Sequence, residues 1–191
     1  QNQLELLLRL QVIDYDLGEL ERSKEYLPDM MENLNREIEE SETKYETAIK
    51  DLEAAKVKQG TLEVDIQAKE ANLQKFQQQM MSIKTNKEYD ALVAEIDAVK
   101  GDISSKETEL LETIELIGVL EKNIVEFKEK CEQVKENNSR QLDILQEKID
   151  SIGDKTTGKK DERQQIMTTI PRRGMSVYER VRKGKGGAVV V

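Results

Sequence analysis

An unbroken heptad seam constrains this chain more than any other feature. Stepping alternately by four and three residues from Leu6 reaches Leu10, Ile13, Leu17, Leu20, Lys24, Leu27, Met31, Leu34, Ile38, Ser41, Tyr45, Ala48, Leu52, Ala55, Gln59, Leu62, Ile66, Lys69, Leu73, Phe76, Met80 and Ile83. A 3.5-residue apolar period sustained this long specifies a helix whose one stripe is buried against another helix. A second seam runs from Tyr89 through Leu92, Ile96, Val99, Ile103, Lys106, Leu110, Thr113, Ile117, Leu120, Ile124, Phe127, Cys131, Val134, Asn138, Gln141, Leu145 and Lys148 to Ile152. The phase slips between the two seams. There, at Lys84, Thr85, Asn86, Lys87 and Glu88, Thr85 and Glu88 have capping-box spacing, and Lys84 suits the C-terminal dipole of the preceding helix.

The expected fold is therefore all-α: a long antiparallel coiled-coil hairpin with arm 1 at about 3–84, its tip at 84–88 and arm 2 at about 88–152. Folding about Asn86 sets Leu20 opposite Ile152 and Leu6 opposite Ile166. The alternative is a stammer within one continuous helix of a parallel dimer. Pro28 lies on the flank of the first seam and predicts a kink without loss of register. Seam positions Gln59, Lys69, Lys106, Asn138, Gln141 and Lys148 read as register devices. The run Ser151 to Gly158, with Gly153 and Gly158, predicts a break, and residues 153–170 then close the base of the hairpin through a short helix that stops before Pro171.

Composition agrees with a thin helical assembly. Charged residues make up 36% and aromatic ones 4%, with no Trp, too little bulky apolar material for a thick globular core. The chain has no His and a single cysteine, Cys131, on a seam position where a buried thiol is the default. Acidic pairs such as Glu39-Glu40 lie on a solvated surface with no pocket to shift their pKa values. No catalytic residue, no metal ligand and no internal disulfide are expected. No apolar run approaches the roughly 20 residues that span a bilayer, so a cytoplasmic location without a membrane partner is expected. The start at Gln1 and the close on Ala188 to Val191 suggest part of a longer chain.

Charge is segregated. From Ile170 to Val191 six basic residues, Arg172, Arg173, Arg180, Arg182, Lys183 and Lys185, face one acid, Glu179, whereas the rest carries 24 basic and 38 acidic residues, a net −14. This basic segment, 171–191, is the candidate surface for nucleic acid or an acidic partner. Tyr178 among its arginines could stack on a base or pack a short helix against its neighbour. Arg182 to Gly187 lacks the spacing of a nucleotide loop and reads as a linker into a strand, a phosphate-contacting loop, or both.

Three segments, Leu8-Arg-Leu-Gln-Val-Ile-Asp14, Ile83-Lys-Thr-Asn-Lys-Glu-Tyr-Asp-Ala-Leu92 and Tyr178-Glu-Arg-Val-Arg-Lys-Gly-Lys-Gly-Gly-Ala-Val-Val190, together resemble the bacterial C4-type zinc ribbon family. The resemblance implies a helical hairpin followed by a ribbon that holds zinc with two Cys-x-x-Cys pairs. That ribbon is missing from this sequence, so zinc is expected only beyond it. It also implies a regulatory adaptor with a protein partner such as an alternative sigma factor, in transcription or flagellar gene control, and RNA or DNA as a further partner. The competing function is a structural or chaperone-like rod with protein partners only. A monomer or weak dimer is expected in either case.

Overall fold

The computed structural model describes residues 2–184. Helix α1 spans Gln3–Met80, α2 spans Asn86–Thr169, and α3 spans Arg172–Gly184. The fold is the all-α antiparallel hairpin that the seams predict. Two compact units divide it: residues 1–38 with 134–191, and residues 39–133.

In the second unit, α1 and α2 run antiparallel, since the α2 partner moves down the chain as the α1 residue moves up. Lys58 pairs with Glu109 at 3.0 Å, Asp65 with Lys106 at 3.3 Å, and Lys69 with Asp102 at 3.2 Å. Ala48, Ala55, Leu62 and Ile66 of α1 and Leu92, Ile96, Ile103 and Cys131 of α2 are buried, all on seam positions. The seam lysines reach across to aspartates on the opposite helix, so each discriminates against a slipped register. At the tip, Ser82 Oγ donates to Gln79 O, and the Glu88 amide donates to Thr85 Oγ1 at 3.3 Å. Thr85 is thus the cap of α2, as its spacing to Glu88 predicts. The turn occupies 81–85, and α1 ends four residues before the expected boundary of arm 1.

In the first unit, Leu6 and Ile166 share a cluster with Leu10, Ile13, Ile170 and Tyr178, and Leu20 packs on the cluster of Leu27, Leu145 and Ile152. Both pairings follow from folding about Asn86. Asn138, buried on the seam, donates from Nδ2 to Leu34 O and to Glu37 Oε2, each at 2.9 Å. The chain continues through Pro28 inside α1. Pro28 has no N–H, so the carbonyl four residues earlier, on exposed Lys24, has no helical donor there.

Three expectations are corrected. The break at 151–158 does not form, and α2 is continuous to Thr169, so residues 153–170 are no separate short helix. The seam continues from Ile152 through Thr156, Lys159, Arg163 and Ile166 to Ile170 in the same steps of four and three, all buried or half-buried. Gly153 and Gly158 point outward and cost about 1 kcal/mol each relative to Ala, less than the burial of Ile152, Ile166 and Ile170 returns at roughly 1.5–3 kcal/mol apiece. Thr157 Oγ1 bonds back to Gly153 O at 3.0 Å, and of the polar run Asp154, Lys155 and Thr157 are exposed while Thr156 takes the seam position. Gln141 and Lys148 are exposed, and Leu142 and Ile149 take the inward positions. The seam thus passes from Cys131 to Leu142 in steps of three, four and four, an eleven-residue interval that locally unwinds a left-handed supercoil. Lys24 likewise faces out beside half-buried Ser23.

Candidate interaction surface on the third helix

Two residues, Ile170 and Pro171, separate α2 from α3. Pro171 cannot continue α2, but its carbonyl accepts from the Met175 amide at 3.1 Å and so opens α3. Thr168 and Thr169 hydroxyls bond to Gln165 O and Ile166 O at 2.7 Å, satisfying carbonyls at the end of α2. At 100° per residue, Arg172, Lys183, Arg180 and Arg173 fall within an arc of about 100°, centred opposite Tyr178. All four are exposed, whereas Tyr178 is 2% exposed. Arg172, Arg173 and Arg180 line a shallow depression together with Met167, Met175, Val177 and one acid, Glu179.

A charged clamp centred on buried Asp14, with Glu179 and Arg182 half-buried at its edge, holds α3 against α1 and α2. Asp14, on α1, accepts from Arg163 Nε at 2.6 Å and from the Tyr178 hydroxyl at 2.7 Å. Arg163 also donates to Glu179, and Arg182 Nη1 lies 3.3 Å from Glu179 Oε2 and 3.6 Å from Asp14 Oδ2. Asp14 and Glu179 thus bring two carboxylates to two guanidiniums and a phenol, which joins all three helices. Burial lowers the proton affinity of Arg163, but hydrogen bonds to Asp14 and Glu179 outweigh it, and the net shift is upward. Tyr178 is raised well above the ordinary phenol value, first by burial and then by its bond to Asp14. Among the described residues, no buried side-chain nitrogen or oxygen lacks a hydrogen-bond partner.

This geometry redistributes the expected site. Arg172, Arg173, Arg180 and Lys183 share the exposed face. Arg182 is turned into the clamp, where two carboxylates already engage it. Tyr178 is not available to stack on a base, because its ring lies in the core of the first unit and its hydroxyl serves Asp14. Lys185 and the run Gly186 to Val191 lie outside the described residues. The tip residues Lys84, Thr85, Asn86, Lys87 and Glu88 are all exposed, beside Met81. Sequence reading missed Asp14, Arg163 and Glu179. Arg163 on a seam position was the available signal, since a charge there needs a buried partner.

The description "CT398-like coiled coil hairpin domain" belongs to a family whose model matches residues 10–186. The chain belongs to that family. Its solved relatives include CT398 from Chlamydia trachomatis, with a TM-score of 0.78, 22% identity, and coverage of 96% of this chain and 78% of that one. HP0958 from Helicobacter pylori superposes with a TM-score of 0.66 at 16% identity, covering 97% of this chain and 78% of that one. At these identities the likeness is one of fold. No curated protein matches. What is shown is the hairpin family, a fold not typical of enzymes, and the C4-type zinc ribbon is no part of its description.

Zinc finds no ligand set here: among the described residues no group of three or more His, Cys, Asp or Glu is placed to hold a metal, and Cys131 is buried alone. Among the same residues no helix is long and apolar enough to cross a membrane.

Proposed function

We propose that this hairpin is a non-enzymatic regulatory adaptor that presents the basic face of α3 to the phosphates of a nucleic acid, while its acidic helices engage a protein partner. One observation carries the reading: Arg172, Arg173, Arg180 and Lys183 share one exposed arc of α3, centred opposite buried Tyr178. Cations gathered on a fixed surface gain affinity by releasing counterions from a phosphate backbone. An alternative sigma factor is the protein-partner class that the resemblance implies.

The test replaces Arg173, Arg180 and Lys183 together with Gln, leaving Arg182 intact because it is structural. Binding to RNA and DNA is measured at several salt concentrations. Affinity should fall similarly for all sequences, and the log–log salt slope should flatten by up to about 3. Unchanged affinity and slope would leave the hairpin as a protein-binding scaffold without a nucleic-acid role.

A further inference from the structure

Nine arginines are present in a chain with 39 acidic residues. Six of them, Arg9, Arg22, Arg36, Arg140, Arg163 and Arg182, pair with a carboxylate. The other three, Arg172, Arg173 and Arg180, have no carboxylate partner among the described residues, and they stand together on α3. Arg172 and Arg173 lie four and three positions before Ser176, and Arg180 lies four after it. Residues so spaced are neighbours on a helix surface, with Cβ atoms about 5–6 Å apart. At 100° per residue, Ser176 falls inside the arc that the three arginines define. It is exposed, and among the described residues its hydroxyl has no hydrogen-bond partner, whereas the Thr168 and Thr169 hydroxyls are committed to carbonyls of α2. Ser176 and the three arginines line one depression. The acid in that lining, Glu179, already receives Arg163 and Arg182, and Met167, Met175 and Val177 bring no carboxylate.

We infer that this depression, on the phosphate-binding face proposed above, takes a phosphate monoester seated over Ser176. A monoester at pH 7 carries a charge of about −1.5 to −2 and three strong acceptor oxygens. A backbone diester carries a single charge and has one free oxygen fewer. Each guanidinium can present two parallel N–H groups to such oxygens, and the Ser176 hydroxyl adds a donor between them. A strand laid along α3 would meet Arg172 and Arg180 with successive diesters and make no particular use of Ser176. A terminal phosphate collects the hydroxyl and the guanidiniums around it at once. The same chemistry has two sources, the 5′ end of an oligonucleotide and a small phosphate ester.

Oligonucleotides of one sequence carrying a 5′-phosphate or a 5′-hydroxyl, and inorganic phosphate at constant ionic strength, test this on the full chain. The 5′-phosphate form should bind about five- to tenfold more tightly. Ser176→Asp places a carboxylate among the three arginines and should erase that difference, with helical circular dichroism unchanged because Ser176 is exposed. Arg140→Gln, exposed and paired within α2, should preserve it. Equal affinity of the wild type for the two ends would overturn the inference and leave the backbone-binding reading of α3 standing. If neither oligonucleotide binds, inorganic phosphate decides. Saturable shifts of the Gly174 and Val177 amide resonances in the wild type, absent from Ser176→Asp, would assign the site to a small phosphate ester without nucleic acid. No such shifts would overturn the site altogether.

Discussion

Replacing Asp14 with Asn probes the clamp with almost no change of volume. The Asp14 side chain is 2% exposed and receives two close hydrogen bonds, from Arg163 at 2.6 Å and Tyr178 at 2.7 Å. An amide offers one acceptor oxygen in place of two. If that oxygen keeps Arg163, the amide nitrogen must donate to the Tyr178 oxygen, and the buried phenol loses its own acceptor. A hydrogen bond to a charged group contributes about 1.5–3 kcal/mol, and stripping one partner from a buried pair costs about 3–5 kcal/mol. Arg163 is 18% exposed and retains Glu179, which lowers the expectation to about 2–4 kcal/mol. Because the clamp fastens α3 to α1 and α2, the loss should appear first as undocking of α3. Tryptic cleavage after Arg182, read under conditions where opening precedes cutting, should accelerate roughly 30- to 700-fold, since each 1.4 kcal/mol is a factor of ten. Asp16→Asn makes the same charge change two residues away. Asp16 pairs with Lys159 at 3.1 Å on a partly exposed surface, so its effect should stay within about 1 kcal/mol. Tyr178→Phe should cost about 1–2 kcal/mol and combine with Asp14→Asn less than additively. Cleavage rates that are equal for Asp14→Asn and Asp16→Asn would refute the assignment of α3 docking to this cluster.

Two further outcomes follow from the same geometry. With no Trp in the chain, the difference between the ultraviolet titrations of wild type and Tyr178→Phe isolates one phenol, and it should ionise well above the ordinary value of about 10. The sign for stability follows: the unfolded phenol loses its proton first as pH rises, so the contribution of Tyr178 is intact below about pH 10 and declines above it; a difference titration centred at the ordinary value would contradict its burial. Asn138→Ala should destabilise by about 1–2 kcal/mol through the lost bonds to Leu34 and Glu37, whereas Asn138→Leu should be close to neutral in urea unfolding because it exchanges a buried polar group for an apolar seam residue. Equal destabilisation by the two substitutions would deny Asn138 its role as a register device.

Much of this architecture was legible because a coiled coil repeats one physical rule. Leu10, Ile13, Leu62, Ile66, Leu92, Ile96 and Ile103 are buried where the seams place them, and Thr85 caps α2 through the Glu88 amide. The misreading at 151–158 came from weighting local punctuation over periodicity. Glycine and threonine weaken a helix by amounts near 1 kcal/mol, and the isoleucines on either side of them outweigh that once the partner helix is present. The phase change near Asn138 was hidden by a different ambiguity. Gln141 and Leu142 are adjacent, and both continue the seam to Leu145, by four or by three residues. Only the apolar character of Leu142 and Ile149 favoured the second.

The clamp was illegible for a deeper reason. Pattern reading can place Arg163 on the seam but names no partner for it, because Asp14 lies 149 residues away, and neither has a reason to be buried until the other arrives. Their pairing also decides what the basic segment can do. α3 joins α2 through only Ile170 and Pro171, and without the clamp its arginines could face any direction. Tyr178 and Arg182, drawn toward Asp14, fix the rotation of α3 about its own axis, and that rotation turns Arg172, Arg173, Arg180 and Lys183 outward together. Two residues read from the sequence as ligand contacts therefore act instead as anchors that aim Arg172, Arg173, Arg180 and Lys183.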